Sequence, residues 1–380
     1  MRELRGALAA LAIVVTTALP ACGTVGGKTF VRAYAEGDRA YSAGRFEEAA
    51  HAYAHAADVA ERPRDQEEAT WASAEALHRA GKLDAALVVF DQLAARRPPG
   101  ERTFYAAYRA ARIRIDRGQT ALGYAALTAL FHDAPEEGVA HRALRAVVMH
   151  REETDGKAAA LAYEASLQPA YAGNRLGEEI CYDVATRREE IGDAAGALSG
   201  FLSCADAYAY PTGALFDDSL WHASLLHEKL GDAPAAIADL QRLLDVRESS
   251  SFNGTYDRPR MPFAQLRIAE LQRDRLGDHA AARRSLRALH DGFPRSILRP
   301  RALFEEAQLA HDDGDEPRAC AIAGQLLDES PDSRWARRAD DACAAVRPRA
   351  EALRKAREER RQKPEHTPEE KAEEDGKDGK

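Results

Sequence analysis

Apolar residues, most of them alanine, fall in short runs of helical spacing along most of this chain, and the runs are punctuated at a steady interval. Each punctuation is a glycine, then a polar residue, then another alanine-rich run. The glycines are Gly44, Gly81, Gly118, Gly156, Gly192, Gly231, Gly277 and Gly314, spaced 37, 37, 38, 36, 39, 46 and 37 residues apart. Glycine tolerates the left-handed backbone that ends a helix. Aspartate follows four of them, at Asp193, Asp232, Asp278 and Asp315, where it can cap the next helix or sit favourably in its first turn. The pattern predicts eight tight turns, each joining two antiparallel helices.

Small residues flank these turns at fixed offsets. Five residues after the glycine stand Ala49, Ala86, Gly123, Leu161, Ala197, Ala236, Ala282 and Ala319. Seven before it stand Gly37, Ala74, Ala111, Met149, Ala185, Ser224, Glu270 and Ala307. Small side chains on both helices let the two backbones approach closely. A bulky residue follows four positions later in Tyr53, Phe90, Leu127, Phe201, Leu240 and Leu286, and Pro98, Pro135, Pro294 and Pro331 stop the second helix of four units.

Together these positions resemble the tetratricopeptide repeat, over about residues 31–346. The resemblance implies an all-α fold: a right-handed superhelix, or α-solenoid, of about eight helical hairpins. Each repeat would bury its apolar face only against its neighbours. A final long helix from about Asp332 would cap the stack. The fourth unit, with Leu161, Ala165 and no terminal proline, departs most from the pattern.

The N-terminal segment has a different character. Met1–Arg5 is slightly basic and Gly6–Leu19 is a 14-residue apolar run, too short to span a bilayer and suited to the core of a secretory signal. The following Leu19-Pro20-Ala21-Cys22 resembles the cleavage box of bacterial lipoproteins, which implies that Cys22 becomes the acylated N-terminus. Several acyl chains would give durable anchoring. Gly23 stands where aspartate would mark retention at the inner membrane, so the resemblance points to the periplasmic face of the outer membrane. The expected organisation is a signal over 1–21, a lipidated linker over 22–29, the superhelix over 30–346, a charged helical extension over 347–363 and a disordered charged tail over 364–380.

Four further cysteines follow, Cys181, Cys204, Cys320 and Cys343. Export would place them in an oxidising space, where cysteines pair. Both pairs are 23 residues apart; one straddles Gly192-Asp193 and the other Pro331-Asp332. Antiparallel helices bring residues equidistant from a turn side by side, so two disulfides are expected, Cys181–Cys204 and Cys320–Cys343. The 46-residue interval contains an insertion, the polar stretch 247–259; long loops in compact arrays are often functional, and a tolerated surface insertion is the competing reading.

Ten residues before each glycine lie Tyr34, Trp71, Tyr108, Ala146, Tyr182, Trp221, Arg267 and Phe304. Six of the eight are aromatic although aromatics make up only 7% of the chain. In the resembled family this position tends to face a concave groove, and Tyr41 and Arg112 share its stripe. Rings beside charges suit an extended peptide or a partner helix; packing between hairpins as core is the competing reading. Catalytic signatures are lacking: there is no nucleophile elbow, phosphate loop, dinucleotide fingerprint or paired-histidine zinc motif. No cofactor, catalytic residue or metal site is expected. The formal charge of −9 argues against a nucleic-acid partner.

The expected function is a protein-binding scaffold of the cell envelope, with other envelope proteins as partners and the membrane reached through acyl chains. Phe293-Pro294-Arg295-Ser296 and Ser330-Pro331-Asp332-Ser333 resemble Pro-x-Ser repeats of outer-membrane assembly lipoproteins and Tol–Pal coordinators. The alternatives are a structural subunit of a secretion, pilus or motility machine, or a non-catalytic accessory to a peptidoglycan enzyme.

Overall fold

The computed structural model describes residues 27–250, 254–256 and 259–362. The expected signal, Cys22, most of the linker, the tip of the insertion and the tail lie outside the described residues. Sixteen helices form eight hairpins around the eight predicted turns. They are α1 Lys28–Ser42 and α2 Phe46–Asp58, α3 Pro63–Arg79 and α4 Leu83–Ala94, then α5 Thr103–Asp116 and α6 Thr120–Asp133. Next come α7 Ala140–Asp155 and α8 Lys157–Tyr171, α9 Arg175–Glu190 and α10 Ala194–Ala207, and α11 Phe216–Lys229 and α12 Ala233–Leu244. The last pairs are α13 Met261–Asp274 with α14 His279–Gly292, and α15 Arg299–Asp312 with α16 Glu316–Glu329. None of the helices among the described residues is long and apolar enough to cross a membrane.

Residue chemistry at the turns accounts for this regularity. All eight predicted glycines have positive φ, between 63° and 89°. Asp193, Asp232, Asp278 and Asp315 each cap the following helix, accepting a hydrogen bond from the amide three residues on. The flanking small residues are enclosed: Ala49, Ala74, Ala86, Ala111, Ala185, Ala197, Ala236, Ala282 and Ala319 have no exposed surface. At Gly37 a Cβ would stand 2.5 Å from the Tyr53 ring, so the first hairpin closes only over glycine.

The chain divides into two compact units, with the boundary at Val147/Val148 inside α7. In the first, the hairpins pack in order through α2 on α3 and α4 on α5, around Phe90, Leu93, Ala106, Ala110 and Ile113. In the second, α8 packs on α9, α10 on α11, α12 on α13 and α14 on α15; its largest core cluster includes Leu240, Leu243, Met261, Leu286 and Phe293. In the fourth unit the buried positions of α8 fall one residue earlier than the repeat offsets, at Ala160 and Glu164, so a carboxylate is enclosed there. The buried Glu164 of α8 takes the Arg187 Nε at 2.7 Å, and the same guanidinium reaches Glu152 of α7 at 2.7 Å. In place of a proline, Gly173 at positive φ ends α8 and Asn174 caps α9, accepting from the Gly177 amide at 2.9 Å.

Two elements differ from expectation. The insertion carries a short antiparallel ribbon, β1 Glu248–Ser250 with β2 Gly254–Tyr256, paired Glu248 to Tyr256 and Ser250 to Gly254. The expected long helix from Asp332 is instead two 3-10 segments, Ala336–Asp341 and Ala344–Val346, followed by α17 Arg347–Gln362. Cys343 breaks the run with extended backbone, φ −152° and ψ 112°, where its disulfide ties it to Cys320 of α16.

Candidate functional site

The residues ten before each glycine are half-buried in every repeat but the last. In three repeats antiparallel pairing places the ring beside the bulky residue of the second helix, at a similar distance from the turn. Tyr34 meets Tyr53 at 5.0 Å between ring centroids, Trp71 meets Phe90 at 5.3 Å and Tyr182 meets Phe201 at 5.4 Å, the last two edge to face. One side of each ring therefore belongs to the core, and part of the rest stays accessible. Burial first, then the nearby carboxylates, push the phenols of Tyr34 and Tyr182 up to about 12; the leading carboxylates are Glu68 for Tyr34 and Asp218 for Tyr182. His222 of α11 stacks on Phe201 at 4.9 Å and lies 3.6 Å from Glu189.

A second layer of residues organises these rings. The sequence places two acids three and four residues before Trp71, Tyr182 and Trp221: Glu67 and Glu68, Glu178 and Glu179, Asp217 and Asp218. The first acid of each pair is buried. Glu67 accepts a hydrogen bond from the amide of Arg102, at the cap of α5, at 2.8 Å, and Glu178 does the same for Leu215, at the cap of α11, at 2.7 Å. Beside the two tryptophans the second acid holds an arginine near the ring. Arg102 donates to both Glu68 oxygens, at 2.7 and 2.9 Å, with its guanidinium 5.4 Å from the Trp71 centroid. Arg260 pairs with Asp218 and sits 5.5 Å from Trp221. One acid thus fastens the next hairpin and the other positions a cation on the tryptophan. Gly100 makes room for this, since a Cβ there would stand 2.0 Å from Glu67.

In the second unit the Trp221 arrangement opens into a cleft of about 530 Å³ lined by Asp217, Asp218, Trp221, Pro259, Arg260 and Phe263. Phe263 is 49% exposed and Pro259 closes the 247–259 insertion. Phe263 occupies the offset from its glycine that Glu67 and Glu178 occupy from theirs, which the one-position stripe overlooks. At the stripe position of that repeat stands Arg267, held between Glu228 at 3.1 Å and Glu270 at 2.6 Å.

The other expected stripe residues have different fates. Phe304 is 2% exposed, so it does not line a groove: Trp335 covers it at 5.2 Å and the Arg338 guanidinium at 4.9 Å. The last repeat has no following hairpin, and the 3-10 segment takes its place over the ring. Tyr41 leans on Phe46 at 5.2 Å, beside its own turn. Tyr108 and Arg112 are half-buried on α5. Two disulfides join Cys181 to Cys204 and Cys320 to Cys343, with Cα atoms 5.8 and 5.1 Å apart. Cys22 lies outside the described residues.

The tetratricopeptide repeat family model matches residues 263–296, which comprise most of α13, all of α14 and the proline turn after it. No curated protein matches the chain. Among solved structures, the C-terminal part of a tetratricopeptide-repeat protein from Cytophaga hutchinsonii is 14% identical, over 72% of this chain and 98% of its own, with a TM-score of 0.42. A tetratricopeptide repeat protein from Parabacteroides merdae is 10% identical over 73% of this chain and 98% of its own, with a TM-score of 0.32. The Pseudomonas aeruginosa pilF product is 16% identical over 62% and 95%, with a TM-score of 0.34.

Proposed function

We propose that this tetratricopeptide-repeat chain is a lipoprotein of the bacterial envelope, anchored through acylated Cys22 at the periplasmic face of the outer membrane, where its hairpins hold partner proteins in an assembly or maintenance complex. The observation that carries the binding role is the cleft of Trp221 and Phe263. An exposed aromatic in one cleft with a tryptophan, and an arginine held near the tryptophan ring by a carboxylate, has the composition of a binding hot spot. Its size suits a few side chains of an extended peptide or one turn of a partner helix. The repeat fold and the sequence features favour binding over catalysis. The apolar run, the Leu-Pro-Ala-Cys box and the cysteine pairs favour export and anchoring.

The test is affinity purification from detergent-solubilised envelopes with the wild type and a Trp221→Ala/Phe263→Ala variant, matched for helicity. The expected outcome is loss of specific partners from the folded variant, by at least about 30-fold if the pair behaves as a hot spot. Retention of every partner by the folded variant would remove the cleft from the proposal. Mass measurement of the N-terminal peptide tests anchoring: a thiol-free Cys22 carrying acyl chains is expected, and an unmodified Cys22 would overturn the lipoprotein assignment.

A further inference from the structure

The C-terminal end of the described residues has a charge opposite to that of the chain as a whole. Between Arg334 and Gln362 the sequence holds ten basic and five acidic residues, against a formal charge of −9 overall. Much of that positive charge is paired: Arg354 with Asp340 at 2.9 Å, Arg338 with Asp341 at 2.8 Å and Arg349 with Asp328 at 2.6 Å. Of the others, Arg337, Arg357 and Arg360 gather near one exposed carboxylate, Asp332. Arg337 donates to the Asp332 backbone carbonyl at 2.8 Å, and Arg360 reaches the Asp332 side chain at 3.1 Å. Arg357 stands one turn before Arg360 on α17, exposed and without a carboxylate partner among the described residues. Burial, and then the charge of Arg357, hold the Arg337 guanidinium below the usual arginine range, with Asp332 opposing and Arg360 adding to the effect.

The surface chemistry narrows the partner. A protein interface of useful affinity has an apolar centre. The large hydrophobic residues exposed among the described residues, from Val31 to Ile297, all lie before this segment. The cap therefore offers charge without an apolar anchor. A layer of lipid phosphates can be held by charge alone, since guanidinium groups match phosphate geometry and each basic residue near an anionic leaflet strengthens binding roughly fivefold. The acidic balance of the rest of the chain opposes a long polyanion such as nucleic acid, which would run past the cap.

We infer that Arg337, Arg357 and Arg360 form a docking surface for the phosphate headgroups of an anionic phospholipid membrane. The inference rests on the membrane-anchored reading above, because the anchor keeps the chain at a bilayer. The cap then sets which lipid surface the second unit meets.

The test uses the full chain bearing Cys22→Ser, so that acylation plays no part, sedimented with vesicles of phosphatidylcholine alone or with about 30% phosphatidylglycerol. The N-terminal apolar run and its basic flank are common to the wild type and every variant, so the part of the anionic excess that the cap variant loses reports the cap. That excess is expected to vanish in high salt and to fall roughly 10- to 30-fold in Arg357→Gln/Arg360→Gln, two exposed positions. A charge-matched Arg39→Gln/Arg79→Gln control should retain it. Equal binding to both vesicles, or an equal fall in the control, would overturn the inference. So would competition by soluble polyglutamate at matched charge without any loss to free phosphatidylglycerol micelles, which would mark an acidic protein partner. Acyl chains on wild-type Cys22 are read separately by mass, so failure here leaves the lipoprotein assignment standing, and the two failures are told apart.

Discussion

Glu67 and Glu306 are both enclosed carboxylates, and they differ in what their surroundings give them. Glu67 receives the Arg102 amide at 2.8 Å. Glu67→Ala would leave that amide without its partner, and a cost of about 1–3 kcal/mol is expected in denaturant unfolding; a change within error would mean that solvent replaces the carboxylate. Glu306 is 0% exposed. Arg287 Nη2 comes within 2.9 Å of it, yet neither oxygen receives a well-aligned hydrogen bond. Burial, the largest influence, raises its pKa above the ordinary value, against the opposing charges of Arg287 and Arg318. A carboxyl whose folded pKa is raised favours folding below its unfolded pKa, and that contribution disappears as pH rises through the folded value. Glu306→Gln should therefore gain stability relative to the wild type as pH climbs from about 4 towards 7. Parallel stability curves for the two proteins would contradict this.

Among the elements, glycine makes all eight hairpin turns and aspartate caps the helix after four of them. At Gly44, Gly81, Gly118, Gly192, Gly231 and Gly314 an added Cβ would meet nothing within 4 Å, so glycine is required there for its positive φ alone. Asp278 adds a cap to the Ala281 amide at 2.8 Å, and Asp278→Ala should cost about 1 kcal/mol, measured as a shift in the urea midpoint at unchanged slope. No shift would mean that the turn holds without its cap. Ion pairs one repeat apart, such as Glu75–Arg109 at 2.6 Å in the first unit and Glu270–Arg301 at 2.7 Å in the second, align successive first helices. They are partly exposed, so each adds little stability, and their effect is on register. These elements were legible because turn chemistry is local. The 3-10 cap was not, because its path depends on Cys320, Phe304 and Trp335 meeting across the fold.

At the scale of the molecule, both disulfides lie in the second unit. Each closes a loop between residues 23 apart, which on the chain-entropy account stabilises by roughly 3 kcal/mol. Reduction should therefore speed hydrogen exchange in α9–α16 while leaving α1–α6 unchanged. An equal effect on α1–α6 would show that the two units unfold together. The first unit, with no disulfide among its described residues, relies on alanine-lined contacts and on buried rings such as Phe90 and Phe131.

By itself the sequence determined the number of hairpins, the position of each glycine turn, most of the small residues at the crossings and the partners available to each cysteine. All of these follow from backbone preference or from spacing along one or two helices. Tertiary structure alone decided how the aromatic stripe is used. Whether a ring at that position is core or surface depends on what the next repeat lays over it: Arg260 and Phe263 leave Trp221 beside an open cleft, whereas Trp335 seals Phe304. The acid pairs ahead of Trp71, Tyr182 and Trp221 stood in plain sight in the sequence. Their roles emerged only when one acid was found on the amide of a helix more than thirty residues away and the other on a guanidinium, because a hydrogen bond depends on distance in space and spacing along the chain does not report it.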